Sequence, residues 1–190
     1  MKIDKETDSK KHSISLVGLM GAGKSAIGRR LAKKLDLQFV DTDEEIEKAA
    51  GLSIQNIFDI HGEIAFREGE RKVIRRILQN PGCIIATGGG AFIDPEIRGL
   101  LKKYTTSVWL RADVEILLPR VARRKNRPLL KNRDHKEVLE KLIKDRYDIY
   151  AKADVIVDSE DLSHESMLER VTDSLSKSKT FCNLKSQGMA

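Results

Sequence analysis

The run Gly18-Leu-Met-Gly-Ala-Gly-Lys24-Ser25 constrains the fold more than any other part of the chain, because it fits G-x-x-x-x-G-K-[ST]. Such a run works only between a buried strand and a helix, and its flanks supply both. Upstream, Ile14-Ser-Leu-Val17 suits a buried strand. Downstream, Ile27, Leu31, Ala32 and Leu35 recur at helical spacing. The glycines let successive backbone N–H groups converge on phosphate oxygens, and the helix start adds partial positive charge. Gly21, Ala22, Gly23, Lys24, Ser25 and Ala26 are therefore expected to bind a nucleotide. Lys24 reaches the β- and γ-phosphates, and the Ser25 hydroxyl holds Mg²⁺. The motif alone leaves the fate of the γ-phosphate open.

The remainder of the 190 residues fits one domain around this motif. Apolar runs at 14–17, 38–41, 83–87, 106–110 and 154–158 alternate with helical patterns. That alternation predicts a three-layer α/β/α fold with a five-stranded parallel sheet. One helix is expected from the glycine run to about Leu35 and a short one after Asp43. Ser53 is expected to cap a piece that Gly62 breaks from a longer helix ending before Asn80. Asp94-Pro95 opens another helix and Asp113 caps the next. A long helix then carries Val138, Leu142 and Ile149 on its apolar face, and the last runs from Ser163 to about Leu175. Residues 1–12 read as a disordered leader, 13–175 as the domain, about 120–134 as a lid, and 176–190 as a flexible basic tail.

The net charge of +6 points to nucleic acid until it is located. The leader carries +1 and the tail +3, which leaves a nearly balanced domain without aromatic residues along a basic stripe. Solvated tails explain the charge, and no nucleic-acid partner is expected. Two cysteines make no disulfide framework, and Cys83 sits in an apolar run. The N-terminus lacks a signal-like apolar stretch and nothing is long enough to span a bilayer, so a cytoplasmic location is expected.

In open α/β sheets, ligands bind beyond the carboxyl ends of the strands. The second run ends in Asp41-Thr-Asp43, where alternate side chains of an extended segment share one side. One carboxylate would face magnesium and the other an acceptor hydroxyl; Asp43 could instead cap a helix. The third ends in Gly88-Gly89-Gly90. Ordering three glycines is costly, so their use must be close backbone approach or unusual φ, with N–H groups touching a substrate. Arg67 and Arg146 taken singly read as surface ion pairs. Taken together, they could clamp a small carboxylate bidentately. Arg127 is a cation that could reach the transferring phosphoryl group on closure.

The glycine run, Asp41-Thr-Asp43, Phe66-Arg67-Glu-Gly-Glu70, Gly88-Gly-Gly90, Arg127-Pro-Leu-Leu130 and Arg146-x-x-x-Tyr150 occur in that order and resemble the shikimate kinase family. The resemblance covers about residues 13–175. It implies a fold similar to nucleoside monophosphate kinases, and transfer of the ATP γ-phosphoryl to the 3-hydroxyl of shikimate in aromatic amino-acid biosynthesis. It also implies roles for individual residues. Lys24 and its neighbouring amides hold the phosphates, while Ser25 and Asp41 serve Mg²⁺. Asp43 is the candidate base. Arg67 and Arg146 hold the carboxylate, with backbone contacts from Gly89 and Gly90. Glu70 orients Arg67, Arg127 closes from the lid, and Arg120 packs on adenine opposite residues near 158–164. Pro119 should bend the helix that carries Arg120. A monomer acting on ATP and shikimate, with no membrane partner, is the expectation. The alternatives are another small-molecule kinase, such as gluconate kinase, and a nucleotide-switched binding module.

Overall fold

The computed structural model describes residues 13–122 and 134–178. The leader 1–12, the segment 123–133 with Arg127, and the end from 179 with Cys182 lie outside the described residues.

The strands are β1 (Ser13–Val17), β2 (Gln38–Asp41), β3 (Cys83–Ala86), β4 (Thr105–Arg111) and β5 (Val155–Asp158). They pair in parallel in the order β2-β3-β1-β4-β5. The first strand lies at the centre and is buried along its whole length. Parallel neighbours need crossover connections, and helices supply them. These are α1 (Lys24–Leu35), α2 (Thr42–Ala50), α3 (Ile54–Leu78), α4 (Pro95–Tyr104), α5 (Val114–Ala122), α6 (His135–Tyr150) and α7 (His164–Lys177).

Alternation along β1 sorts these helices into two layers. Leu16 lies against Gly28 of α1, where an added Cβ would come within 3.2 Å of the leucine. Ser15 points the other way. Its hydroxyl meets that of Thr105 at 2.8 Å, and Thr105 in turn donates to the Leu101 carbonyl of α4. The largest core runs through β1, α1, α4, α6 and α7. A second, smaller core of Ile46, Ile57, Phe66, Val73, Ile77, Cys83 and Ile85 seats α2 and α3 against β3.

The caps expected at Ser53 and Asp94 are present. Ser53 accepts from the Asn56 amide, and Asp94 accepts from Glu96 and Ile97. Gly62 takes φ 78° and ψ 176°, which breaks α3 into two helical pieces at the expected place. Two expectations are corrected, the start of α2 and the end of α7. The helix α2 begins at Thr42, two residues earlier than expected, because Asp41 rather than Asp43 caps it: the Asp41 side chain accepts from the Asp43 amide. Pro119 lies inside α5, as expected, and its ring removes one hydrogen bond from the helix that carries Arg120. On α6, Val138, Leu142 and Ile149 pack half-buried against the main core, as expected of its apolar face, beside the fully buried Leu139 and Tyr150. Residues 176 and 177, assigned to the tail, close α7.

Candidate active site

The glycine run forms the turn from β1 into α1. Gly18, Gly21 and Gly23 all have positive φ, and Gly23 caps α1 with φ 94°. No acidic side chain occupies the first turn of α1, so its amide dipoles face outward uncompensated by a carboxylate of that turn. The Lys24 ammonium lies over the loop and donates to the Gly18 and Leu19 carbonyls at 2.9 Å each. Ser25 Oγ donates to Asp41 Oδ2 at 2.7 Å, so the C-terminal end of β2 meets the first turn of α1.

Asp41 and Asp43 diverge more than alternation on a strand would have them. Asp41 ends β2 and turns to Ser25, whereas Asp43 sits in the first turn of α2. Asp43 faces the glycine turn after β3. A Cβ built on Gly88 would lie 2.6 Å from Asp43 Oδ1 and 3.2 Å from Glu70 Oε1. A Cβ on Gly90 would lie 2.6 Å from Arg67 Nη1. None of Gly88, Gly89 and Gly90 has positive φ. Gly88 and Gly90 therefore serve close approach, and the unusual-φ alternative falls. What approaches Gly88 and Gly90 is charged side chains of the chain itself. Thr42 Oγ1 fixes the start of this turn by accepting from the Gly88 amide at 2.9 Å.

Arg67 sits one helical turn from Glu70, and its Nη1 donates to Glu70 Oε2 at 2.7 Å. This is the orientation expected of the pair. Glu70 is 1% exposed. Burial pushes its carboxyl above the ordinary range. Arg67 pulls the other way, while Asp43 and Asp94 add to the rise. Among the described residues, nothing donates to Glu70 Oε1. Arg146 reaches the same turn from α6, where its Nη1 donates to the Gly89 carbonyl at 3.1 Å. The structure thus brings Asp43, Arg67, Glu70, Gly89, Gly90 and Arg146 together from four separate stretches of chain. Sequence reasoning missed the Thr42 and Tyr150 hydroxyls, although both lie inside motifs that it quoted.

Arg120 is held from α5 by Ser159 Oγ at 3.1 Å and the Glu160 carbonyl at 2.9 Å. Ser159 Oγ also lies 3.3 Å from the Ala22 carbonyl, which ties this corner to the glycine loop. Ser159 is a further residue that the sequence did not single out. A cleft of about 240 Å³ lined by Glu115, Ile116, Pro119, Arg120 and Asp161 opens beside it. Arg127 lies outside the described residues.

The donor set suits a hard cation. Ser25 and Asp41 offer hydroxyl and carboxylate oxygens, as Mg²⁺ prefers. Among the described residues, no cluster of three or more His, Cys, Asp or Glu could hold a metal. Among the same residues, no helix is long and apolar enough to cross a membrane.

Comparison with known proteins agrees with this geometry. The family model for shikimate kinase matches residues 20–176. The shikimate kinase of Paramagnetospirillum magneticum is 56% identical over 163 residues, covering 86% of this chain and 84% of that protein. That of Caulobacter vibrioides is 51% identical over the same length, covering 86% and 82%. Among solved structures, a shikimate kinase from Acinetobacter baumannii in complex with shikimate superposes with a TM-score of 0.83. It is 35% identical, over 89% of this chain and 94% of that one. The chain belongs to the shikimate kinase family, the ATP-dependent kinases that its ordered set of motifs resembles.

Proposed function

We propose that this kinase moves the γ-phosphoryl of ATP onto the 3-hydroxyl of shikimate by dividing the work between two groups of residues. The observation that carries the reading is the convergence of Asp43, Arg67 and Arg146 on one glycine turn beside the phosphate loop. Two guanidiniums at that turn suit a small carboxylate, and the Asp43 carboxylate beside them suits a hydroxyl.

On the nucleotide side, Lys24 and the amides of Gly21, Ala22, Gly23, Ser25 and Ala26 hold the phosphates. To do so, Lys24 exchanges the Gly18 and Leu19 carbonyls for phosphate oxygens. Ser25 and Asp41 would hold Mg²⁺, which when bound neutralises charge on the phosphate oxygens. Arg120 flanks the adenine. On the acceptor side, Arg67 and Arg146 hold the shikimate carboxylate, Gly89 and Gly90 offer amides, and Asp43 orients the 3-hydroxyl. The hydroxyl oxygen bonds to the γ-phosphorus as the bond to the ADP oxygen breaks, and its proton passes to the Asp43 carboxylate. An alcohol is too weak an acid to ionise early, so orientation is the larger part of Asp43's contribution. Arg127 neutralises charge on the transferring group from the lid of about residues 120–134, within a kinase domain of 13–175. Action as a monomer in the cytoplasm belongs to the same reading.

The test is ADP release from MgATP with shikimate, with gluconate and with no acceptor, with mass detection of the product. Shikimate-dependent ADP and a singly phosphorylated shikimate are expected. ADP released only with gluconate would reassign the arginine pair. Nucleotide binding without turnover on any acceptor would favour a nucleotide-switched binding module.

A further inference from the structure

We infer that Tyr150 is a positioning residue for the acceptor site, its buried hydroxyl fixing the Gly89–Gly90 peptide so that the Gly90 amide faces the acceptor. The inference rests on the acceptor reading above and assigns that site a part which sequence reasoning left without a role.

Tyr150 closes α6 and is 0% exposed. Its ring is held between Trp109, with centroids 5.8 Å apart, and Phe92, 6.3 Å away. The hydroxyl donates to the Gly89 carbonyl, the same oxygen that receives Arg146 Nη1. In a trans peptide the carbonyl of one residue and the amide of the next point in opposite directions. Drawing the Gly89 carbonyl toward α6 therefore turns the Gly90 amide away from α6. Among the described residues, nothing accepts from that amide.

Such a plane needs an anchor. Neither glycine has a Cβ to bias its dihedrals, so a peptide between two of them rotates more freely than any other. Arg146 is a poor permanent anchor, because engaging a carboxylate draws its guanidinium toward the ligand. Tyr150 is fully buried at the helix end and, although Arg146 also lies against its hydroxyl, its ring cannot swing out toward a ligand. Its hydroxyl keeps the carbonyl bonded while Arg146 turns to the acceptor, so the peptide stays set through binding and release. Burial pushes the phenol up to about 12, which keeps it a donor throughout the neutral range.

Tyr147 supplies the internal comparison. It belongs to the same aromatic group, 4.9 Å from Trp109, but its hydroxyl donates to the Ala112 carbonyl, away from the glycine turn. The experiment compares wild type, Tyr150→Phe and Tyr147→Phe for shikimate KM, ATP KM, kcat and Tm. Both substitutions keep the ring and its packing. Tyr150→Phe is expected to raise shikimate KM about tenfold, near the loss of one hydrogen bond, with ATP KM within about twofold. Tyr147→Phe is expected to leave both KM values alone. An unchanged shikimate KM in Tyr150→Phe, or an equal rise in Tyr147→Phe, would overturn the inference and leave the hydroxyl a purely structural part. A wild-type enzyme that ignores shikimate would instead overturn the acceptor reading, and that result is read before either variant.

Discussion

The nucleotide half and the acceptor half of this site are built by opposite means. The phosphate loop is eight consecutive residues whose shape follows from three glycines at positive φ and the helix that they start. The acceptor half takes Asp43 from α2, Arg67 and Glu70 from α3, the 88–90 turn after β3, and Arg146 and Tyr150 from α6. Its parts meet only because β2, β3 and β1 are neighbours and α6 packs on the same side. It also stands on its own small core under α2 and α3, with the Gly62 break between the two pieces of α3. A half made by local backbone tolerates little change within a few residues. A half made by assembly is sensitive at many distant points.

That contrast can be broken most forcefully at Lys24. Lys24→Met removes the ammonium that rests on the loop carbonyls. It is expected to lower kcat by roughly 10³-fold while leaving shikimate binding, measured by calorimetry without nucleotide, near wild type. A comparable loss of shikimate affinity would show that the halves are not separable.

Arg67→Lys tests the other half with a smaller effect. Lysine keeps the charge but loses the fork that grips Glu70 and, in the proposed function, the acceptor carboxylate. Shikimate KM at saturating ATP is expected to rise roughly 10- to 100-fold. An unchanged value would remove Arg67 from the clamp.

Asp94→Asn probes the frame beneath the acceptor half. Asp94 caps α4 and pairs with Arg71 of α3 at 2.7 Å. Burial would raise its carboxyl, but Arg71 and the Ile97 and Glu96 amides outweigh it and hold the carboxyl below its ordinary value. Loss of the charge is expected to cost about 1–2 kcal/mol at neutral pH, or several degrees of Tm. A depressed carboxyl stabilises the fold above its unfolded-state value and ceases to do so as pH falls through its lower folded value. The Tm gap between wild type and variant should therefore narrow below about pH 4. A gap that is constant down to pH 3 would assign the cost to shape rather than charge.

Legibility in the sequence follows the same division. The five strands, their order of appearance and the phosphate loop could be read because each is a local pattern of apolar period or glycine spacing. The roles of Asp41 and Asp43 could be named from their motif, but their geometry could not. Treating Thr42 as strand rather than as the first residue of α2 misplaced the cap. The glycine turn was recognised as special for a partly wrong reason. Its need for glycine lies in carboxylate and guanidinium groups arriving from residues 43, 67 and 70, which no local pattern records. Tyr150 went without a role because a buried tyrosine at a helix end looks like core until the carbonyl it meets is known.

The most direct measurement is to titrate MgATP into wild type and Asp43→Asn by calorimetry and to compare kcat of the two with shikimate. Asn keeps the shape beside Gly88 and removes the carboxylate. The account expects MgATP affinity to stay within about threefold while kcat falls roughly 10³-fold. Equal losses of nucleotide affinity and turnover would contradict the division of the site into two halves.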